Sequence, residues 1–164
     1  MRWPFALAAL AVLASCPRAD RGVSDVRAPD LETAAVLRGL VRDPSDVDVV
    51  GLYARDTDRV CIVRQGSAYR IGAYVDYGDG IGCSGAGTAT RSGDRLRVTL
   101  GQGCAFDARF DGDRIAFPVG LPTACETLCG RRASFAALEA IRLSESAAEA
   151  ATMRDAVGRL PCAG

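Results

Sequence analysis

Residues 84–117 read SGAGTATRSGDRLRVTLGQGCAFDARFDGDRIAF, and this stretch decides the class of fold. Apolar and polar side chains alternate along it, which is the period of a β-strand with one buried face. The apolar face would carry Leu96, Val98, Leu100, Phe106, Ala108 and Phe110. Arg, Thr and Asp fill most of the alternate positions. The pattern therefore predicts half-buried antiparallel strands.

Short turns between these strands set their register. We place two-residue turns at Ser92-Gly93 and at Asp111-Gly112. The facing pairs that follow are Leu96–Ala89, Val98–Gly87, Phe110–Asp113, Ala108–Ile115, Phe106–Phe117 and, between the hairpins, Leu100–Cys104. This register also sets Arg97 opposite Asp107 as an exposed ion pair. Residues 84–117 are thus predicted to form a meander.

The flanking segments extend this sheet. Tyr69, Ile71, Ala73 and Val75 alternate with polar or small residues, as Leu52 and Ala54 do with Gly51 and Tyr53. The small inward positions Gly85, Gly87 and Ala89 indicate strong curvature, as in a small barrel, or a large residue that covers them. Residues 134–143 have a helical apolar pattern, yet a capping box at Ser146 argues against one continuous helix. We predict a strand there that closes the sheet against 50–54.

Two short helices are predicted to flank the strands. Asp30 can N-cap a helix over about 31–41, whose Val36, Leu37, Leu40 and Val41 would face the domain. Ser146 and Glu149 form the capping box of a helix over about 147–157, with Gly158 as its C-cap. The predicted class is mainly β, a small antiparallel meander or barrel stapled by disulfides, with these flanking helices.

Composition excludes several kinds of chemistry. All 20 basic residues are Arg, 20 acidic residues balance them, and the chain has no His, Lys or Asn. A Ser-His-Asp triad, a Schiff base and a His-ligated metal site are therefore impossible. A net charge of zero gives no electrostatic footprint for nucleic acid. We expect no cofactor, no metal site and no nucleic-acid partner.

The amino terminus carries a targeting signal. An uncharged apolar run over 5–14 ends in Leu13-Ala14-Ser15-Cys16, and it is far shorter than the roughly 20 residues that span a bilayer. These four residues resemble the lipobox of bacterial lipoproteins, which implies cleavage before Cys16 and acylation of that residue. The alternative is an ordinary secretory signal cut after Ala14 or Ala19.

The resemblance implies a division of the chain. Residues 1–15 would be the signal peptide, 16–29 the lipidated Cys16 and its tether, and 30–164 a single disulfide-stapled β domain. The membrane would then be a partner through the lipid anchor. Pro17 is not the Asp that retains some lipoproteins at the inner membrane, which favours the outer membrane of a bacterial envelope.

Cysteine parity supports export. Apart from Cys16, an even set remains: Cys61, Cys83, Cys104, Cys125, Cys129 and Cys162. An even set in an exported chain is typical of a disulfide framework. We predict the bridges Cys83–Cys104, Cys125–Cys129 and Cys61–Cys162. The alternative is a metal site that uses Cys125 and Cys129.

A candidate binding loop follows the strand over 69–75. Its residues are Arg70, Tyr74, Asp76, Tyr77 and Asp79. Carboxylates, tyrosines and flexible glycines could bind a cation or a sugar, and Asp76 with Asp79 could serve a hydrolase that needs no His. The structural interpretation is that Asp and Gly only form turns here. Likewise, Arg95, Arg97 and Arg109 form either a solvated face or a surface for an acidic partner.

The chain carries, in this order, the motifs Gly51-x-Tyr53, Cys104-x-Phe106 and Cys125-x-x-x-Cys129. This spacing of cysteines and aromatic residues resembles that of small cysteine-containing envelope β-barrel lipoproteins. Some families of that kind inhibit lysozymes. The resemblance implies a barrel and a binding or accessory role, with inhibition as one form of it. The alternative function is a carboxylate-dependent envelope hydrolase.

Overall fold

The computed structural model describes residues 30–43, 45–101 and 103–163, and its eight strands close into one antiparallel barrel. The strands are β1 (Gly51–Arg55), β2 (Asp58–Gln65), β3 (Ala68–Asp76), β4 (Gly82–Ser92), β5 (Arg95–Leu100), β6 (Cys104–Phe110), β7 (Arg114–Ala116) and β8 (Glu139–Ser144). The helices are α1 (Leu31–Leu37), a 3₁₀ helix (Thr123–Leu128) and α2 (Ala147–Thr152). The predicted fold class is confirmed. The signal peptide, Cys16 and the tether lie outside the described residues.

β8 closes the barrel, as predicted for residues 134–143. It pairs antiparallel with β1 on one side and with β7 on the other. The strand begins only at Glu139, because the preceding residues turn, with Ala137 at a φ of 58°. Phe135 and Leu138 in that turn are buried and complete the core.

The barrel interior is filled by side chains. The alternating apolar residues of β3, β5 and β6 point inward as predicted. In β1 the inward side chain is Tyr53, which is fully buried, whereas Leu52 packs outside the barrel in a second cluster with Cys61 and Ala150. At Gly87 a Cβ would stand 1.8 Å from the Thr99 carbonyl oxygen, so the close approach of β4 and β5 needs glycine there.

The register of both meander hairpins differs from the prediction by two residues. Their turns lie at Gly93-Asp94 and Gly112-Asp113, one residue later than expected. The observed pairs include Ala89–Val98, Gly87–Leu100 and Phe110–Ile115. Gly93 and Gly112 have positive φ angles of 63° and 101°, and a II′ turn takes glycine at its first central position. A shift of two keeps every side chain on its face, so the predicted inward residues stay inward. The Leu100–Cys104 pair is confirmed.

Both flanking helices are shorter than predicted. The N-caps are confirmed, since the side chains of Asp30 and Ser146 accept backbone N–H bonds from Thr33 and Glu149. No residue of α1 is buried, so the predicted contact of its apolar side with the domain is wrong. The closed barrel encloses its own core, and the helix packed on the outside of β1 and β2 is α2.

α2 ends at Thr152 with Met153, not Gly158, as its C-cap. Met153 is non-helical and buried, and it packs in one cluster with Cys61 and Cys162. The predicted Cys61–Cys162 bridge then anchors this C-terminal segment.

The other two predicted bridges are wrong, because the 3₁₀ helix binds both strands. The observed bridges are Cys83–Cys129 and Cys104–Cys125. Leu100 of β5 pairs with Cys104 on one side and with Gly87 on the other, so Cys104 lies level with Gly87. Cys83 is four residues from Gly87 along β4, which puts it out of reach of a bridge to Cys104. The 3₁₀ helix lies against this end of the barrel, with Cys125 inside the helix bridged to β6 and its C-cap Cys129 bridged to β4.

Candidate functional site

The predicted binding loop uses its polar groups to hold its own shape. The hydroxyl of Tyr74 donates to Asp76 Oδ2 at 3.0 Å, and the backbone N–H of Gly78 donates to Asp76 Oδ1 at 2.9 Å. The Tyr77 hydroxyl donates to the Ser134 carbonyl at 3.4 Å. Partial burial and the bond to Asp76 raise the pKa of Tyr74. Asp79 is exposed at the tip with a φ of 52°, and no hydrogen bond in the described residues joins it to Asp76. The carboxylate of Asp76 therefore holds the conformation of this turn.

Arg70 is not part of that loop. Its Nε donates to the carbonyl of Pro161 at 2.8 Å, so it contacts the C-terminal segment. The five predicted residues thus divide into a loop group and one arginine on the outer face of β3.

A groove runs along the outer face of β4, and we call it the β4 groove. It consists of two adjoining clefts of about 510 Å³ and 320 Å³, which share Ser84, Leu128, Asp155 and Arg159. One wall comes from the end of the 3₁₀ helix and the other from residues 155–161. Tyr74 and Asp76 line the larger cleft, and Arg70 lines the smaller one. The structure therefore brings three of the five predicted residues to one groove.

Asp155 organises the C-terminal wall of this groove. Its Oδ2 accepts bonds from the Ser84 hydroxyl and Arg159 Nε, both at 2.7 Å, and its Oδ1 accepts the N–H groups of Val157 and Arg159. Its side chain is 1% exposed. Burial works against its charge, but these hydrogen bonds outweigh burial and lower its pKa. Sequence reasoning missed Asp155, since nothing local marks it as buried.

The opposite end of the barrel is closed by Arg142, which we call the arginine end. Its side chain is 6% exposed, and its guanidinium lies over Tyr53 and Phe110 and donates to the carbonyls of Val50, Asp48 and Gly112 at 2.7–2.9 Å. Burial raises the pKa of Tyr53, whose hydroxyl donates to the Val49 carbonyl. Residues two apart in a strand point to the same face, so the position of Arg142 two residues after the buried Ala140 indicates that it points inward.

Beside Arg142, a charged cleft of about 600 Å³ opens between the barrel and residues 42, 43 and 46–48. Two ion pairs lie in its lining, Arg42 with Glu145 and Arg64 with Asp48. Arg64 also lies 5.0 Å from the ring centroid of Tyr69. The arginines at this cleft serve mainly to join the barrel end to the chain that precedes it.

The outward arginines of the meander form an exposed ladder. Arg97 pairs with Asp107 at 3.2 Å as predicted, Arg95 approaches the same carboxylate at 3.9 Å, and Arg109 pairs with Asp94. All these side chains are at least 41% exposed. This is a solvated face of mixed charge.

Within residues 30–43, 45–101 and 103–163, no cluster of three or more Cys, Asp and Glu side chains could hold a metal ion. No helix in the same part of the chain has the length and apolarity to cross a membrane. Comparisons with protein-family models, curated proteins and solved structures find no match for this chain.

Proposed function

We propose that this protein is a lipid-anchored cell-envelope protein that acts as a binding or accessory module, with inhibition of an envelope enzyme as one form of that role. The observation that carries the proposal is the cysteine count. The chain has seven cysteines, and the six after Cys16 form three bridges. Cys16 is therefore left over, at the position where a lipobox is acylated. Three bridges also suit an oxidising compartment outside the cytosol.

A binding role rests on how the barrel uses its residues. Its interior is packed with side chains such as Tyr53, Phe110 and Ile71, so the clefts lie on the outside. The two carboxylates of the alternative hydrolase are not joined in one cleft, because Asp76 lines the β4 groove and Asp79 does not. An outer groove with fixed polar groups suits recognition of a partner.

Acylation is tested by metabolic labelling with a palmitate analogue. We expect label on the wild-type chain and none on Cys16→Ala. Cys16→Ala leaves the three bridges intact, so unchanged denaturant unfolding of that variant serves as the folding control. Equal labelling of both chains would contradict the anchor.

The binding role is tested by crosslinking in intact cells that express the full chain. A partner whose recovery falls on Tyr74→Ala, but not on Arg97→Ala, would support recognition through the β4 groove. Hydrolysis of envelope glycans by the purified chain, lost on Asp76→Asn, would instead favour the enzyme.

A further inference from the structure

Two arginines line the smaller cleft of the β4 groove from different parts of the chain. Arg70 comes from β3, and Arg159 from the C-terminal segment. Arg70 Nε donates to the Pro161 carbonyl at 2.8 Å, and Arg159 Nε donates to Asp155 Oδ2 at 2.7 Å. These bonds position the two side chains. Within the described residues, the terminal Nη groups of both have no hydrogen-bond partner. Two guanidiniums are thus oriented with unused donors.

The charge balance of this cleft favours an anion. Its charged lining residues are Arg70, Arg159 and Asp155, a net charge of +1. The two oxygens of Asp155 already accept four hydrogen bonds, and its side chain is 1% exposed. It therefore offers little competition for the free Nη donors.

The rest of the cleft provides space and apolar walls. Gly85 and Ala86 of β4 lie at its floor, and Leu128, Leu160 and Pro161 line its sides. A volume of about 320 Å³ exceeds what a single phosphate or carboxylate fills, and the adjoining cleft extends it. An anion here would carry a larger ligand.

We propose that Arg70 and Arg159 bind an oxyanion, a carboxylate or phosphate group, on the ligand of this module. The planar guanidinium fork matches either group with two parallel N–H bonds. The proposal deepens the proposed binding role and rests on it, but it is independent of acylation at Cys16.

The experiment titrates the purified full-length chain with inorganic phosphate in one arm and with acetate in the other, and it follows the arginine Nε–Hε signals by NMR. We expect saturable shifts of the Arg70 and Arg159 signals and only weak, non-saturating shifts for Arg95 and Arg97 of the ladder. The arm with the tighter binding identifies the group. Equal shifts at all four arginines, or none, would overturn the proposal.

Variants separate fork geometry from charge. Arg70→Lys keeps the charge but lacks the fork, and we expect at least tenfold weaker binding; Arg159→Gln should lose binding. Arg97→Gln is the matched control and should bind as the wild type does. Arg159→Gln also removes a contact to Asp155, so its denaturant unfolding is measured in parallel. If Arg159→Gln is unfolded, the affinity of Arg70→Lys decides the test. Wild-type affinity in Arg70→Lys would contradict the proposed fork. Loss of palmitate labelling would leave this titration unaffected, so the two proposals fail separately.

Discussion

The two ends of the barrel are closed by different means. At one end the 3₁₀ helix is attached by Cys83–Cys129 and Cys104–Cys125, next to the rings of Phe106, Phe117 and Phe135, which contact one another tilted and edge-on. We call this the disulfide end. At the arginine end no bridge is present among the described residues, and Arg142 lies over two aromatic rings.

The difference shows how a small barrel can close its ends without a long helix. At the disulfide end, covalent bonds hold a short segment against the barrel. At the arginine end, one side chain supplies both an apolar stem and hydrogen bonds to three carbonyls. The first end should depend on redox state, and the second on arginine contacts, mainly those of Arg142.

The largest expected effect is removal of a bridge from the disulfide end. Cys83→Ala with Cys129→Ala releases a constraint between residues 46 positions apart, and we expect a loss of about 4 kcal/mol in the free energy of unfolding. Urea unfolding of the oxidised proteins measures it. Because a disulfide carries no charge, the loss should be the same at low and high salt. An unchanged urea midpoint would mean that covalent closure is not what stabilises this end.

A smaller loss is expected at the arginine end. Arg142→Met keeps the apolar stem but leaves three carbonyls without their donor, and we expect about 3 kcal/mol of destabilisation. Arg97→Met is the control, since its exposed ion pair should contribute at most about 1 kcal/mol. Equal, small losses in both variants would show that Arg142 is not a structural closure.

The smallest effect is a pH dependence at the arginine end. Burial works against the charge of Asp48, but the hydrogen bonds from Arg64 and from the backbone of Val50, together with the charge of Arg64, outweigh burial and lower its pKa. A lowered pKa stabilises the fold above the ordinary Asp value, and this stabilisation is lost as pH falls through the folded-state value. The contact between Asp48 and Arg64 should therefore weaken from about pH 4 downward, whereas the two bridges of the disulfide end do not titrate.

Amide hydrogen exchange at the two ends, measured against pH, separates them. Asp48→Asn should remove the acid-dependent part of the exchange at the arginine end and leave the exchange of Cys104 and Phe106 unchanged. The acid-dependent loss of stability should be below about 1 kcal/mol, because both Asp48 and Arg64 are about half exposed. Identical acid sensitivity of both ends would contradict this contrast.

The two ends also differ in how far they could be predicted. The even number of cysteines after Cys16 predicts which cysteines are bridged. It does not predict the partners of Cys83 and Cys104, because the 3₁₀ helix that supplies them has no distinctive apolar period. The inward position of Arg142 conflicts with the expectation that arginine is exposed, and only its parity with Ala140 indicates it. For the β4 groove, Tyr74, Asp76 and Arg70 were candidates. Asp155 and Arg159 lie about 80 to 90 residues further along the chain than these three residues, and no local pattern connects them.

The sequence by itself determined the properties that depend on neighbouring residues. Alternation of period two set which face of β5 and β6 is buried, and the side chains of Asp30 and Ser146 set where helices begin. The tertiary structure alone decided the partners of Cys83 and Cys104, and the position of Arg70 and Arg159 in one cleft. These features depend on how the 3₁₀ helix and the C-terminal segment pack on the barrel, and this packing brings together residues whose spacing along the chain carries no physical signal.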